Sequence, residues 1–234
     1  MPFVYDAIDP QSFTAALSPA ALAMIESLGR ISVYPAGSVL FRQGEPTGHV
    51  AVLARGWVKV VASAHSGEEA FLAIRGPGDV LGELSAVDGQ PRSATVSALV
   101  PVRARVIQGD RFLEAVSASP ELCLALLRHL TAHLRDSDRR RLEYVSTGTF
   151  QRLVTLLVEL ADTYGDLHPD GSIVIRLPLT QRDLAAAAAM SREAVARGLR
   201  TLRERDLVRT NRRRIALIRP QLIRALATSM PDDT

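Results

Sequence analysis

The stretch GELSAVDGQPRSATV, residues 82–96, is the most distinctive part of this 234-residue chain, and glycine and proline interrupt the region around it every few residues. Between these turn residues, from 31 to 106, lie short runs rich in Val, Ala and Leu, such as HVAVLARGWVKVVA at 49–62. Short strands separated by turns at this spacing predict an antiparallel β-barrel or jelly roll.

The same stretch contains the groups that an anionic ligand carrying hydroxyls requires. Arg92 offers a fork of donors to a phosphodiester, and Ser93 adds a hydroxyl. Gly82 lets the backbone approach closely, and the Glu83 carboxylate can accept a hydrogen bond from a ribose hydroxyl. These residues predict a small-ligand site. The alternative is that Glu83 and Arg92 form an internal ion pair that closes a loop.

Residues 120–146 contain no glycine or proline after Pro120, which predicts one long helix. Residues along it recur in alternating steps of three and four, as in the seam of a coiled coil, and predict a homodimer. They are Leu127, Leu130, Leu134, Ser137, Arg141 and Tyr144. The alternative is a helix that packs only against its own barrel.

A second phrase, LTQRDLAAAAAMSREAVARGLRTLRERDLV at 179–208, predicts two short helices that bind DNA. Thr180 and Ser191 are placed as N-terminal caps, the first with Asp183 three residues later. Side chains that share one face of the second helix by their spacing could read a major groove, because Arg donates to guanine and Glu accepts from the cytosine amine. These are Arg192, Glu193, Arg197 and Arg200.

Two short strands at 207–208 and 215–218 predict a wing beyond the second helix. The turn between them holds Arg212, Arg213 and Arg214, which we expect to contact phosphates without sequence preference, unless the turn is merely solvated. Residues 192–224 carry 11 Arg against 3 acidic residues, and a basic surface confined to one region indicates a nucleic-acid partner.

This order of glycine-punctuated strands, the 82–96 stretch, a long helix and a helix-turn-helix resembles the bacterial Crp/Fnr transcription regulators, specifically their cyclic-AMP-binding branch. The resemblance implies an α+β fold with three parts. Residues 1–119 would form a cyclic-nucleotide-binding β-barrel, 120–146 a dimerisation helix, and 147–234 a winged helix-turn-helix domain. It also implies a DNA-binding regulator and not an enzyme, with double-stranded DNA, a second copy of the chain and RNA polymerase as partners.

The resemblance also implies roles for individual residues. Glu83 would bind the ribose hydroxyl, Arg92 and Ser93 the cyclic phosphate, and the amides of Gly82 and Leu84 the remaining polar edges of cyclic AMP. Ser137 and Asp138 would accept from the adenine amine. In the DNA-binding region, Arg192, Glu193 and Arg197 match the residues that read a GTGA-type half-site.

Several positions differ from the family pattern. Asp138 stands where the best-known cyclic-AMP receptors have a hydroxyl, and Arg141 occupies a seam position. Ala189 replaces the usual glycine of the turn, and Gly198 lies inside the recognition helix, which would each cost about 1 kcal/mol. A regulator that binds DNA without ligand, or one that responds to another nucleotide such as cyclic di-GMP, therefore remains open; a cyclic-nucleotide-gated enzyme is a distant alternative.

Other features exclude whole classes of site. Cys123 is the only cysteine, so the chain has neither an internal disulfide nor the thiolates for an iron–sulfur cluster. His129 and His133 have a spacing that can ligate a metal on a helix, but the sequence shows no third ligand, so we expect no metal. The absence of a long apolar stretch predicts a cytoplasmic protein without membrane contact.

Overall fold

The computed structural model describes residues 9–46, 48–64, 69–211 and 214–228, with the side chains of 143–146 left out. The chain divides into two compact units, Met1–Asp138 and Arg139–Thr234. None of the helices in the described part of the chain is long and apolar enough to cross a membrane.

The first unit is built on eight antiparallel strands in two four-stranded sheets. One sheet has the order β1-β8-β3-β6 and the other β2-β7-β4-β5, which confirms the predicted jelly roll. The strands are β1 (Arg30–Tyr34), β2 (Val39–Phe41), β3 (His49–Arg55), β4 (Val58–Ser63), β5 (Glu69–Arg75), β6 (Val80–Leu81), β7 (Thr95–Ala98) and β8 (Val102–Gln108).

Strand β3 is buried on both faces, which explains why its sequence is apolar without alternation. Ala51 and Leu53 pack between the two sheets, whereas Val50 and Val52 pack against the helices of the unit. A barrel strand covered on both sides therefore connects the two apolar cores of the unit.

Four α-helices in the described part of the unit accompany the barrel: α1 (Pro19–Ser27), α2 (Glu83–Asp88), α3 (Gly109–Ala118) and α4 (Pro120–Ser146). The predicted Ser18 cap is present, with its side chain accepting from the amide of Ala21. Helix α4 has the predicted bounds. Its side chains Leu122, Ala125 and Leu126 pack into the core that lies between β3 and the helices. Its Leu127 and Leu134 side chains are instead exposed on the single chain.

The second unit is a winged helix-turn-helix, as predicted. Its elements are α5 (Thr149–Tyr164), β9 (Gly165–Leu167), β10 (Ile173–Ile175), α6 (Gln181–Ala187), α7 (Arg192–Glu204), β11 (Val208–Asn211), β12 (Arg214–Leu217) and α8 (Pro220–Thr228). The four strands form one sheet in the order β11-β12-β10-β9. The wing strands differ from the predicted bounds by only a few residues, because the β11–β12 register extends to the Asn211–Arg214 pair.

Of the two positions in this unit that depart from the family pattern, Gly198 has a packing reason, whereas Ala189 adopts a backbone conformation that favours glycine. Ala189 has φ +47°, so the turn between α6 and α7 uses the left-handed region without a glycine. A Cβ at Gly198 would lie 2.5 Å from Cδ2 of Leu153, which means that α7 needs a glycine to pack closely on α5.

Candidate functional site

Arg92 is the centre of the predicted ligand site, and its side chain is only 3% exposed. One guanidinium nitrogen, Nη1, donates to the Gly82 carbonyl at 2.8 Å, and Nη2 donates to the His49 carbonyl. The guanidinium carbon lies 4.1 Å from the centre of the Phe41 ring. The buried Nε has no hydrogen-bond partner among the residues described. The cation is therefore held by its ends and by an aromatic face, with one buried donor available to an anion.

Backbone hydrogen bonds to the loop after β2 hold the main chain of Arg92 in position. The amide of Arg92 donates to the carbonyl of Glu45, and its carbonyl accepts from the amide of Gly44. The loop after β2 therefore positions the arginine, although these residues are far from it in the chain.

Glu83 begins helix α2 and is 7% exposed. Burial raises its pKa to about 7, despite its own backbone amide and the charges of Arg75 and Arg92, which lower the pKa. Near neutral pH its carboxyl group is therefore poised between the neutral and ionised forms.

The structure argues against the alternative of an internal ion pair. Among the described residues, no ion pair or hydrogen bond joins the Glu83 carboxylate to the Arg92 guanidinium. The two charges affect each other's pKa, but each group keeps capacity for another partner.

The remaining residues of the predicted ligand site supply backbone groups and a hydroxyl. Gly82 has φ +78°, and a Cβ there would lie 2.2 Å from Arg92 Nη1, so only glycine fits. Leu84 is exposed. Its amide lies in the first turn of α2, where backbone amides have no acceptor within the helix. Ser93 is exposed next to the buried Arg92. We refer to Gly82, Glu83, Leu84, Arg92 and Ser93 as the cradle.

Ser137 and Asp138 are exposed on helix α4. Within the described part of the single chain, no hydrogen bond or ion pair connects either residue to the cradle, so the structure does not bring these two groups of predicted residues together.

Two residues that hold Arg92 escaped the sequence analysis. The His49 carbonyl and the Phe41 ring contact its guanidinium. Burial, followed by the charge of Arg92, lowers the pKa of His49. Both lie more than 40 residues before Arg92, and only the pairing of strands brings them to it.

A second group of titratable side chains lies outside the cradle. Burial, followed by the charge of Arg75, lowers the pKa of His129 to about 4 and also depresses that of His133, whereas burial raises the pKa of Asp79 to about 6. His129 Nδ1 lies 3.9 Å from Asp79 Oδ1. Because the imidazole is neutral near pH 7, this close approach is not an ion pair.

The predicted caps organise the DNA-binding helices. Thr180 and Asp183 form a reciprocal capping box at the start of α6, and the Ser191 side chain accepts from the amide of Ala194 at the start of α7. Arg152 of α5 donates to the carbonyls of Ala188 and Ala189 and so supports the turn, a role that the sequence analysis did not assign.

The exposed face of α7 carries the predicted base-reading residues. Arg192, Glu193, Arg197 and Arg200 are exposed, whereas Val195, Leu199 and Leu202 are buried beneath them. The Glu193 backbone amide and the Ser191 hydroxyl lower the pKa of the Glu193 carboxyl, so it stays ionised and can accept hydrogen bonds at neutral pH. Arg213 of the predicted wing turn lies outside the described residues.

Comparison with known proteins adds independent information on both regions. Residues 31–119 match the family model of the cyclic nucleotide-binding domain, and residues 151–226 match that of the Crp-like helix-turn-helix domain. A protein of Mycobacterium tuberculosis named CRP-like cAMP-activated global transcriptional regulator is 30% identical over 193 residues, which cover 82% of this chain and 86% of the relative.

Two further similarities extend over most of the chain. The global nitrogen regulator of Synechococcus elongatus is 30% identical over 207 residues, which cover 85% of this chain and 93% of the relative. The crystal structure of a transcriptional regulator from Thermus thermophilus, described as CRP/FNR family, has a TM-score of 0.72 at 25% identity, covering 86% of this chain and 99% of that one.

Proposed function

Since the chain belongs to the Crp/Fnr family of transcription regulators, we propose that it is a homodimer whose affinity for DNA is controlled by cyclic AMP bound in the first unit. Its two matched domains make it a DNA-binding regulator with a nucleotide ligand and not an enzyme. We further propose that the nucleotide is cyclic AMP, that two chains dimerise through α4, and that the dimer binds a palindromic GTGA-type site. RNA polymerase is the further partner that we propose for the DNA-bound dimer.

The buried Arg92 guanidinium carries the ligand assignment. A phosphodiester placed beside it would accept from Nε, the donor without a described partner, while the Ser93 hydroxyl and the amides of Gly82 and Leu84 supply further donors. The ionised form of Glu83 would accept from the ribose hydroxyl. The cradle thus offers donors for one negative charge and an acceptor for a hydroxyl, as a cyclic mononucleotide requires.

The preference for adenine rests on Ser137 and Asp138. Both can accept a hydrogen bond from an exocyclic amine, and an ionised aspartate cannot donate to the carbonyl of guanine. A relative from Mycobacterium tuberculosis is named as cAMP-activated, which supports the same ligand. A larger nucleotide such as cyclic di-GMP would need additional cations, and residues 139–141 leave that alternative open, although Arg139 is paired with Glu159 at 2.5 Å in the single chain.

The exposed face of α7 supports the choice of DNA site. Arg192 and Arg197 can donate to guanine, and the ionised Glu193 can accept from the cytosine amine, which suits a GTGA half-site and its complement. Thr180, Ser191 and Arg200 would lie on the flanking backbone, and Arg213 of the wing on a phosphate.

Binding of a labelled palindromic GTGA/TCAC duplex at fixed salt, with and without cyclic AMP, tests the ligand and its coupling to DNA. We expect cyclic AMP to tighten binding by roughly 5- to 150-fold, the usual range of allosteric coupling. Arg92→Ala should abolish this effect, whereas Arg30→Ala, which removes an exposed arginine of β1, should preserve it. Equal affinity with and without cyclic AMP would contradict the ligand assignment and leave cyclic di-GMP or ligand-free binding.

The two classes of arginine can be separated by comparing specific and random duplexes. Arg192→Ala should weaken specific binding by about 1–3 kcal/mol and relax sequence choice, because it removes a base contact. Arg213→Ala should weaken both duplexes alike and reduce the slope of log affinity against log salt by about 0.9, because it removes a phosphate contact. Equal losses on both duplexes for the two variants would contradict these roles.

A further inference from the structure

Three side chains that can ligate a metal converge between the barrel and helix α4. Asp79 follows the turn after β5, and His129 and His133 lie four residues apart on α4. One ligand atom from each residue lies within 4.8 Å of the other two. The two imidazole rings are 4.0 Å apart between their centres. The third ligand that the sequence does not reveal is therefore Asp79, which the fold brings to the histidine pair.

The hydrogen bonds of His129 leave one ring nitrogen facing this group. Its Nε2 lies 3.4 Å from the carbonyl of Val80, which can only accept, so this contact favours the tautomer with the hydrogen on Nε2. The opposite nitrogen, Nδ1, has no hydrogen-bond partner among the described residues and points towards Asp79 Oδ1 at 3.9 Å. The His129 side chain is only 1% exposed, so water does not satisfy this lone pair freely. A lone pair and a carboxylate oxygen thus face each other in a buried place that calls for a cation.

Hydrogen bonds from neighbouring backbone groups orient Asp79 and His129, as they orient the ligands of bound metal ions. The amide of Gly76 donates to Asp79 Oδ2 at 2.8 Å, which leaves Oδ1 directed at His129. The Val80 carbonyl orients the His129 ring, and contacts of this kind from a carbonyl to a ligating imidazole recur at metal sites. Arg75 contributes a positive charge nearby, and Asp9 and Asp79 contribute two negative charges.

We propose that Asp79, His129 and His133 bind one divalent transition-metal ion of the zinc class, with His129 ligating through Nδ1 and Asp79 through Oδ1. Two imidazoles and a carboxylate are a usual set of protein ligands for Zn²⁺, with water in the fourth position. Bonds of roughly 2.0–2.1 Å place tetrahedral ligand atoms about 3.3 Å apart. The present separations, up to 4.8 Å, would have to shorten to that distance when the ion binds.

The position of this site connects it to the cradle. Asp79 immediately precedes β6, which leads through Gly82 to Glu83, while the two histidines lie on α4. A metal bound here ties the strand that enters the cradle to the helix that carries the exposed leucines. The metal site itself does not depend on the identity of the nucleotide.

Zinc binding to the untagged full chain without nucleotide tests this proposal by calorimetry and by competition with a chromophoric chelator. We expect one ion per chain with micromolar or tighter affinity. Asp79→Asn and His133→Gln should each weaken binding at least tenfold, whereas His168→Gln, which changes an exposed histidine of the second unit, should leave it unchanged. In cobalt-substituted protein, tetrahedral coordination should give intense visible absorption that both ligand variants lose.

An effect of these variants on metal binding can be distinguished from an effect on folding, because His133 and Asp79 are less buried than His129. Their variants should retain the melting temperature of the metal-free protein and lose only the increase that zinc causes in the unchanged chain. Zinc affinity that remains within threefold in both variants, or an unchanged chain that does not compete with the chelator for zinc, would overturn the proposal.

Discussion

Glu83 links the charge of a single residue to ligand affinity. Its pKa of about 7 is set first by burial, with Arg75 and Arg92 acting against the rise and Asp79 adding to it. If the ribose hydroxyl donates to the ionised carboxylate, ligand binding must release the proton that Glu83 holds at lower pH. We therefore expect the Kd for cyclic AMP to rise by up to tenfold per pH unit below about pH 7 and to level off above it.

Titration of the Kd from pH 5.5 to 8.5 at constant ionic strength measures this dependence. Glu83→Gln should bind more weakly and without the pH dependence, because the amide cannot ionise. Asp79 also titrates nearby, with a pKa of about 6, so Asp79→Asn serves as the control that should retain most of the slope. A flat profile in the unchanged chain would show that Glu83 does not bind the ligand as a carboxylate.

At the level of helices, Gly198 shows why a residue that is poor for α7 is nevertheless required. Alanine is better than glycine in a helix interior by about 1 kcal/mol, but its Cβ would lie 2.5 Å from Cδ2 of the fully buried Leu153. Overpacking of this kind costs about 1–3 kcal/mol. We expect Gly198→Ala to lower the free energy of unfolding of the second unit in a urea titration.

A second substitution identifies the contact responsible. Leu153→Val removes the δ carbons, so it should cost less in the Gly198→Ala background than in the unchanged chain. A higher unfolding midpoint for Gly198→Ala alone would mean that Leu153 moves aside without cost.

The same elements show what can be predicted from sequence. The caps at Thr180 and Ser191, the long helix and the strand-rich region were all predicted, because capping and hydrophobic periodicity act over a few neighbouring residues. The partners of Arg92, the packing reason for Gly198 and the meeting of Asp79 with His129 were not. Each of these depends on residues distant in the chain, which only the tertiary fold brings together.

On the scale of the whole molecule, the α4 side chains predict how two chains assemble. Leu127 and Leu134 are 56% and 61% exposed on the single chain, although the opposite face of α4 is buried on the barrel. Burying a fully exposed leucine contributes roughly 1.5–3 kcal/mol. In a two-fold symmetric dimer, both chains would bury their copies of these leucines. This stripe, Leu127 and Leu134, therefore favours a contact between the α4 helices of two chains.

Leu134→Glu should break this assembly, because it would place two like charges at an apolar contact. Sedimentation at micromolar concentration should show a monomer, and affinity for the palindromic duplex should fall towards that for a single half-site, since the second recognition helix is no longer tethered. Leu167→Glu, on strand β9 and 75% exposed, adds the same charge away from the stripe and should leave both properties unchanged. If Leu134→Glu remained a dimer and bound the palindrome as the unchanged chain does, the two chains would have to meet through another surface.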